Sequence, residues 1–191
     1  MASNILFISE QYIKDTSYID ENVDVKLLRA NILETQDVRI LPILGTALYD
    51  DLKAKVLAGT VSSTTGYTTL LDTYISPALK YWVLHDGAYI LQYKIMNKGI
   101  VERSSENASN IGVQELDRLM AFFKDRAEYY SERITKYLLE NDSTYTLYNN
   151  AGNGIDTVYP KYNNYTQGWH LGDCPNTYGL PIDYGHLNNC L

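Results

Sequence analysis

The stretch 113–140 constrains this chain more than any other. Leu116, Leu119, Phe123, Ala127, Tyr130, Ile134 and Leu138 recur every three or four residues, while Asp117, Arg118, Lys124, Asp125 and Glu132 fill positions between them. A turn of about 3.6 residues sorts these two sets onto opposite faces, so the spacing predicts one long amphipathic helix. Such a helix must bury its apolar stripe against other elements.

The upstream sequence supplies those elements. Asn22 or Asp24 can cap a helix that carries Val25, Leu28 and Ile32 on one side. The string "QDVRILPILG" interrupts it, because proline disfavours a helical residue before it and suits the first turn of a new helix. Leu44, Leu48, Leu52 and Val56 then share a face as far as Ala58, with Gly59 as the stop. A polar loop, "TVSSTTG", follows. Helical character resumes from Tyr67 to Asn97, divided at Ser76-Pro77, and "PALKYWVLHDGAYILQYKIMN" is apolar on most sides, as a central buried helix should be. The Ser/Asn-rich segment 98–112 is longer than compact helical domains need and is expected to make contacts, with Lys98, Arg103 and Glu106 as rim charges.

The expected fold is therefore all-α, an antiparallel bundle of about four to five helices over 22–140. Residues 1–21 lack helical periodicity and read as an extended N-terminal arm. Residues 141–191 read as a long irregular C-terminal arm. After Asn141 the chain holds seven tyrosines, eight asparagines, six glycines and three prolines, and Lys161 is its only Lys or Arg. A segment so composed buries too little on itself to offset its ordering entropy, so it is expected to be held by another subunit or a partner.

Charge and composition narrow the function. The net charge of −7 opposes general binding to nucleic-acid phosphates, which requires clustered Lys and Arg. No apolar run is long enough for a membrane span, and the first residues carry neither the basic nor the apolar region of a secretory leader. There are 18 tyrosines against three phenylalanines and two tryptophans. Tyrosine suits half-buried surfaces, where one end of the ring meets water. Tyr145, Tyr148, Tyr159, Tyr162, Tyr165, Trp169, Tyr178 and Tyr184 form a spaced aromatic series and are candidate anchors on a neighbouring surface.

Catalytic patterns are weak. Asp50 and Asp51 are adjacent on a helix and diverge by about 100°, so they read as a solvated face. His85 and Asp86 are also adjacent and are not expected to face each other; His85 reads as a core or interface histidine. No phosphate-cradling glycine motif is present. The chain's end repeats His-Leu-x-x-Cys, placing His170 with Cys174 and His186 with Cys190. Two histidines and two cysteines could hold zinc, the cysteines could pair as a disulfide, or all four could pack as small anchors. No other cofactor is implied, and no enzymatic activity is expected.

Several strings, in order, carry a family likeness: "FISEQYIKDTSYIDENVD", "ILPILGTALYDDL", "LLDTYISPALKYWVLHDGAY", "YKIMNKGIVERSSENAS" and "ELDRL…RAEYYSERITKYLLEN". Over residues 7–148 the chain resembles head–tail connector (adaptor) proteins of tailed bacteriophages, nearest to those of Bacteroidota phages of the crAss-like group. "PILGTxLYxxL" and "KxxNKGI" are the most specific strings. The resemblance implies a structural virion protein, assembled in the host bacterial cytoplasm and located at the portal–tail vertex. It implies a homo-oligomeric, dodecameric ring below the portal that joins the capsid to the tail, contacting portal and tail or further ring proteins. DNA would pass through the lumen without specific binding. The alternative reading is a soluble binding module whose aromatic, zinc-stapled C-terminal subdomain recognises a glycan or peptide.

Overall fold

The computed structural model describes residues 4–97, 99–102, 112–152 and 154–161. The fold is all-α, as the periodicity predicts, with one small hairpin added. The first helix, α1, spans Glu10–Thr16, and Ser9 caps it by accepting the Tyr12 N–H at 3.0 Å. α2 covers Val25–Thr35, capped by Asp24. It continues through a wider π-type turn at Gln36–Ile40 into Leu41–Leu44. α3 is Thr46–Ala58 and ends on Gly59 in the left-handed conformation, the expected stop. Tyr67–Thr69 and a second π-type segment, Leu70–Ile75, lead into α4, Ser76–Gln92. The strands β1 (Tyr93–Met96) and β2 (Gly99–Glu102) pair antiparallel, with Tyr93 opposite Glu102 and Met96 opposite Gly99. α5 is Val113–Glu140, the bounds read from its apolar stripe, and α6 is the single turn Thr146–Asn149.

Neither proline breaks its helix. Pro42 and Pro77 each follow a π-type segment by two residues. A proline inside a helix lacks a donor and crowds the carbonyl four residues back, and a widened turn relieves both problems. Beside Pro77, the Ser76 hydroxyl donates to the Leu71 carbonyl at 2.8 Å. The expected interruptions at 36–45 and at Ser76-Pro77 are thus distortions of continuous helices, and the first real break is Gly45. The expected helix end at Asn97 is also corrected, because the chain leaves helix after Gln92 and turns back as the hairpin.

α4 and α5 make the most extensive helix–helix contact, and α2 crosses α4 on another side. Ile32, Leu44, Leu48, Leu52, Ile75, Leu79, Ile134 and Leu138 are fully buried and form one continuous core. Each such side chain contributes about 1.5–3 kcal/mol relative to exposure. Gly87 of α4 leaves room for the Asn31 side chain of α2: a Cβ there would lie 2.5 Å from Asn31 Nδ2, which donates to the Val83 carbonyl at 2.8 Å.

The N-terminal segment is not an extended arm. Phe7, Ile8 and Ile13 are buried, the Phe7 N–H donates to Gln36 Oε1 at 2.8 Å, and the Phe7 ring meets Tyr49 edge-on at 5.2 Å. A seven-residue helix is too short to announce itself by periodicity; tertiary burial of these three side chains holds it.

Nor does packing stop at Glu140. Tyr145 and Tyr148 are 1% and 0% exposed. Beyond them an extended strap reaches Lys161. The Thr46 N–H donates to the Val158 carbonyl at 3.0 Å, the Val158 N–H to Thr46 Oγ1 at 2.8 Å, and the Lys161 N–H to the Pro42 carbonyl at 3.0 Å. Gly45, at φ 75°, lies directly beneath this strap, and a Cβ there would come within 2.8 Å of the Pro160 ring. The part of the expected C-terminal arm from 141 to 161 therefore belongs to the bundle wherever it is described.

Candidate functional site

α5 carries more apolar surface than its core stripe uses. Leu116 and Phe123 are buried against α4, while Leu119 and Phe122, on the flank beside them, are 41% and 40% exposed. Leu84, Ala88, Leu91 and Gln92 of α4 join them, as do Tyr18 and Ile19. Together they line a groove of about 640 Å³. Tyr18 stacks on Phe123 at 6.4 Å, and the Arg126 guanidinium lies 3.9 Å over the Phe122 ring. Among the described residues, no Asp, Glu, Lys or Arg lines the groove. An open apolar trough of this size is the usual mark of a surface that another chain covers.

On the opposite flank of the α4–α5 pair the lining is mixed, with charged and polar side chains beside Val38, Pro42 and Ile43. Arg39, Trp82, Glu128, Ser131, Glu132 and Lys161 contribute to a second groove of about 430 Å³. Arg39, in the π-type turn after α2, bonds both carboxylate oxygens of Asp86, at 2.9 and 3.2 Å, and its guanidinium lies 4.2 Å over the Trp82 ring. The Trp82 Nε1–H donates to Ser131 Oγ at 2.9 Å, and that hydroxyl donates onward to the Ala127 carbonyl. This chain of contacts ties the π-type turn after α2 to α4 and α5. Burial alone would raise the Asp86 carboxyl, but hydrogen bonds from Arg39 and His85 outweigh it and hold the carboxyl below its usual range. His85 Nδ1 lies 2.7 Å from Asp86 Oδ1. This corrects the expectation that the two would not meet: the Cα–Cβ bonds diverge, but the side-chain torsions of these short residues bring the polar atoms together.

Asp51 is likewise more than a solvated residue. It accepts from the Tyr67 hydroxyl and pairs with Lys55 at 3.0 Å, while Asp50 remains exposed as expected. Burial, then the hydrogen bond with Asp51, pushes the Tyr67 phenol well above its ordinary pKa.

The predicted contact residues divide. Tyr145 and Tyr148 are corrected from interface anchors to core. The Tyr145 hydroxyl donates to the Gly66 carbonyl at 2.8 Å and lies 3.1 Å from the Tyr137 hydroxyl, and its ring packs 5.8 Å from those of Tyr67 and Tyr137. For Tyr145, these polar partners are what let the phenol enter a core. Tyr159 is 61% exposed and remains available. Lys98, Arg103, Glu106, Tyr162, Tyr165, Trp169, Tyr178 and Tyr184 lie outside the described residues, as do the metal candidates His170, Cys174, His186 and Cys190. Among the described residues, no group of three or more His, Cys, Asp or Glu side chains could hold a metal, and no helix is long and apolar enough to cross a membrane.

The groove residues Tyr18, Leu119 and Phe122 were not singled out from sequence as contact residues. A signal existed: Phe122 falls off the core stripe of 113–140, and an aromatic on the outer face of an amphipathic helix needs its own explanation.

No curated protein and no solved structure matches the chain. A family model does, over residues 40–158, from the end of the π-type turn after α2 to the strap. The chain belongs to that family, described as a family of unknown function (DUF6712).

Proposed function

We propose that this chain is a non-enzymatic structural protein, the subunit of a homo-oligomeric ring that joins a phage capsid vertex to its tail. The open apolar groove between α4 and α5 carries the reading. The core of the bundle is complete without it, so covering it is work for an interface rather than for folding. The resemblance to head–tail connectors over 7–148 supports the same assignment. So does the acidic balance, because a lumen through which DNA slides should repel phosphates rather than grip them. In this reading the subunit sits in the virion at the portal–tail vertex, touches further copies of itself and the portal or tail proteins, and needs no cofactor.

The test is assembly. The full chain, concentrated alone and co-expressed with a portal protein from the same genome, is analysed by mass photometry and negative-stain imaging. Closed rings, alone or on the portal, are expected. A chain that stays monomeric under both conditions would remove the proposal.

A further inference from the structure

We infer that the α4–α5 groove is the seat of residues 162–191 from a neighbouring copy, so that each subunit fastens the next. The inference rests on the ring reading and adds the identity of the occupant. Four observations converge on it.

The first is position. The described chain ends at Lys161, beside Glu128, Ser131 and Glu132 of α5. At about 100° per residue, those positions lie roughly opposite Leu119 and Phe122 on the helix. α4 repeats the division, with Trp82 on the exit side and Leu84, Ala88 and Leu91 on the groove side. The chain therefore leaves on one side of the helix pair and the groove opens on the other. Donor and acceptor on opposite faces make a heterologous, head-to-tail contact, the kind that closes into rings.

The second is reach. The thirty residues from 162 to 191 span at most about 100 Å when extended, enough to cross to a neighbour. The third is charge. Residues 162–172, "YNNYTQGWHLG", contain no Asp, Glu, Lys or Arg, which matches a groove with none among its described lining residues. The fourth is anchor chemistry. Tyr162, Tyr165, Trp169 and Leu171 supply large apolar side chains, and Tyr and Trp are the residues that dominate such docking energies. The loop residues 103–111, "RSSENASNI", sit closer along the chain but offer one large apolar side chain and two charges, a poor match.

Two experiments on the full chain decide it. In the first, a labelled synthetic peptide of residues 162–191 is titrated into the full chain and into Leu119→Arg, with circular dichroism confirming that both are folded. Leu119 is 41% exposed, so the charge enters the groove without disturbing the core. Saturable binding weakened at least tenfold by Leu119→Arg is expected. No saturation, or equal binding to both proteins, overturns the inference.

In the second, Leu119→Cys provides one groove thiol to meet Cys174 or Cys190, the only native cysteines. Mild oxidation should give ladders of covalent multimers on a non-reducing gel, with Glu132→Cys on the opposite flank as the control. Cross-links confined to single chains would mean that each tail covers its own groove, and equal ladders from both variants would mean chance collision. Either result overturns the inference. Rings in the imaging test without a Leu119→Cys ladder would refute the occupant and leave the ring reading standing. Absence of rings would refute the ring reading itself.

Discussion

Replacing Tyr145 separates a core role from an interface role. The ring is 1% exposed, packs against Tyr67 and Tyr137, and places its hydroxyl 2.8 Å from the Gly66 carbonyl. Tyr145→Phe removes only the hydroxyl, leaving the Gly66 carbonyl and the Tyr137 hydroxyl short of a partner, and should cost about 1–3 kcal/mol. Tyr145→Ala removes the ring as well and leaves a cavity between Tyr67 and Tyr137, for about 3–5 kcal/mol. At about 2–4 °C per kcal/mol for a chain of this size, the alanine variant should melt roughly 6–20 °C lower. Urea unfolding at a concentration where the protein is monomeric measures both variants. An alanine variant within about 0.5 kcal/mol of the parent, the range of ordinary surface substitutions, would refute the core assignment. Unchanged stability coupled to lost assembly would restore Tyr145 as an anchor between subunits.

Three further outcomes are expected. Gly45→Ala combines a backbone at φ 75° with a Cβ 2.8 Å from the Pro160 ring, so amide exchange should rise across 157–161 while α5 stays protected; unchanged exchange in the strap would contradict the packing described. Asp86→Asn should cost about 1.5–3 kcal/mol at neutral pH through its charged hydrogen bonds with Arg39. Because the folded carboxyl titrates below its unfolded value, that contribution is present above about pH 4 and fades as pH falls further, so parent and variant should converge in acid; a constant gap across the pH range would refute the sign. At the other extreme, burial and the partners Asp37, Asp51 and Tyr137 raise the phenols of Tyr49, Tyr67 and Tyr145. The unfolded chain then gives up these protons first, so stability should hold below about pH 10 and drop above it by about 1.4 kcal/mol per pH unit for each tyrosine. Urea melts from pH 8 to 11 that show no such drop would contradict it.

Legibility in the sequence tracked the physics that forms each element. α5 was readable to its ends because one helix face repeats over many turns, and α2 and α3 were readable from Asp24 and Gly59. The π-type turns were not, since a proline announces a missing donor but not whether the helix breaks or widens. The hairpin after Gln92 was hidden because "YKIMN" continues the apolar run of α4, and short apolar runs suit helix and strand alike. α1 and the strap owe their conformations to distant partners, Gln36 for Phe7 and Thr46 for Val158, and no local pattern encodes a contact across so many residues. The same limit misassigned Tyr145 and Tyr148, whose composition resembles an interface and whose surroundings make a core. At the groove, the sequence showed apolar residues in excess but not that Leu119 and Phe122 would stay open while Phe123 closed onto Tyr18.

The proposed ring is the point on which the functional reading turns. Imaging of the full chain by electron microscopy, alone and with a portal protein from the same genome, should show closed rings around an open channel, with subunits in head-to-tail contact through the α4–α5 groove. Dispersed monomers, or two-fold dimers with that groove exposed to solvent, would contradict it.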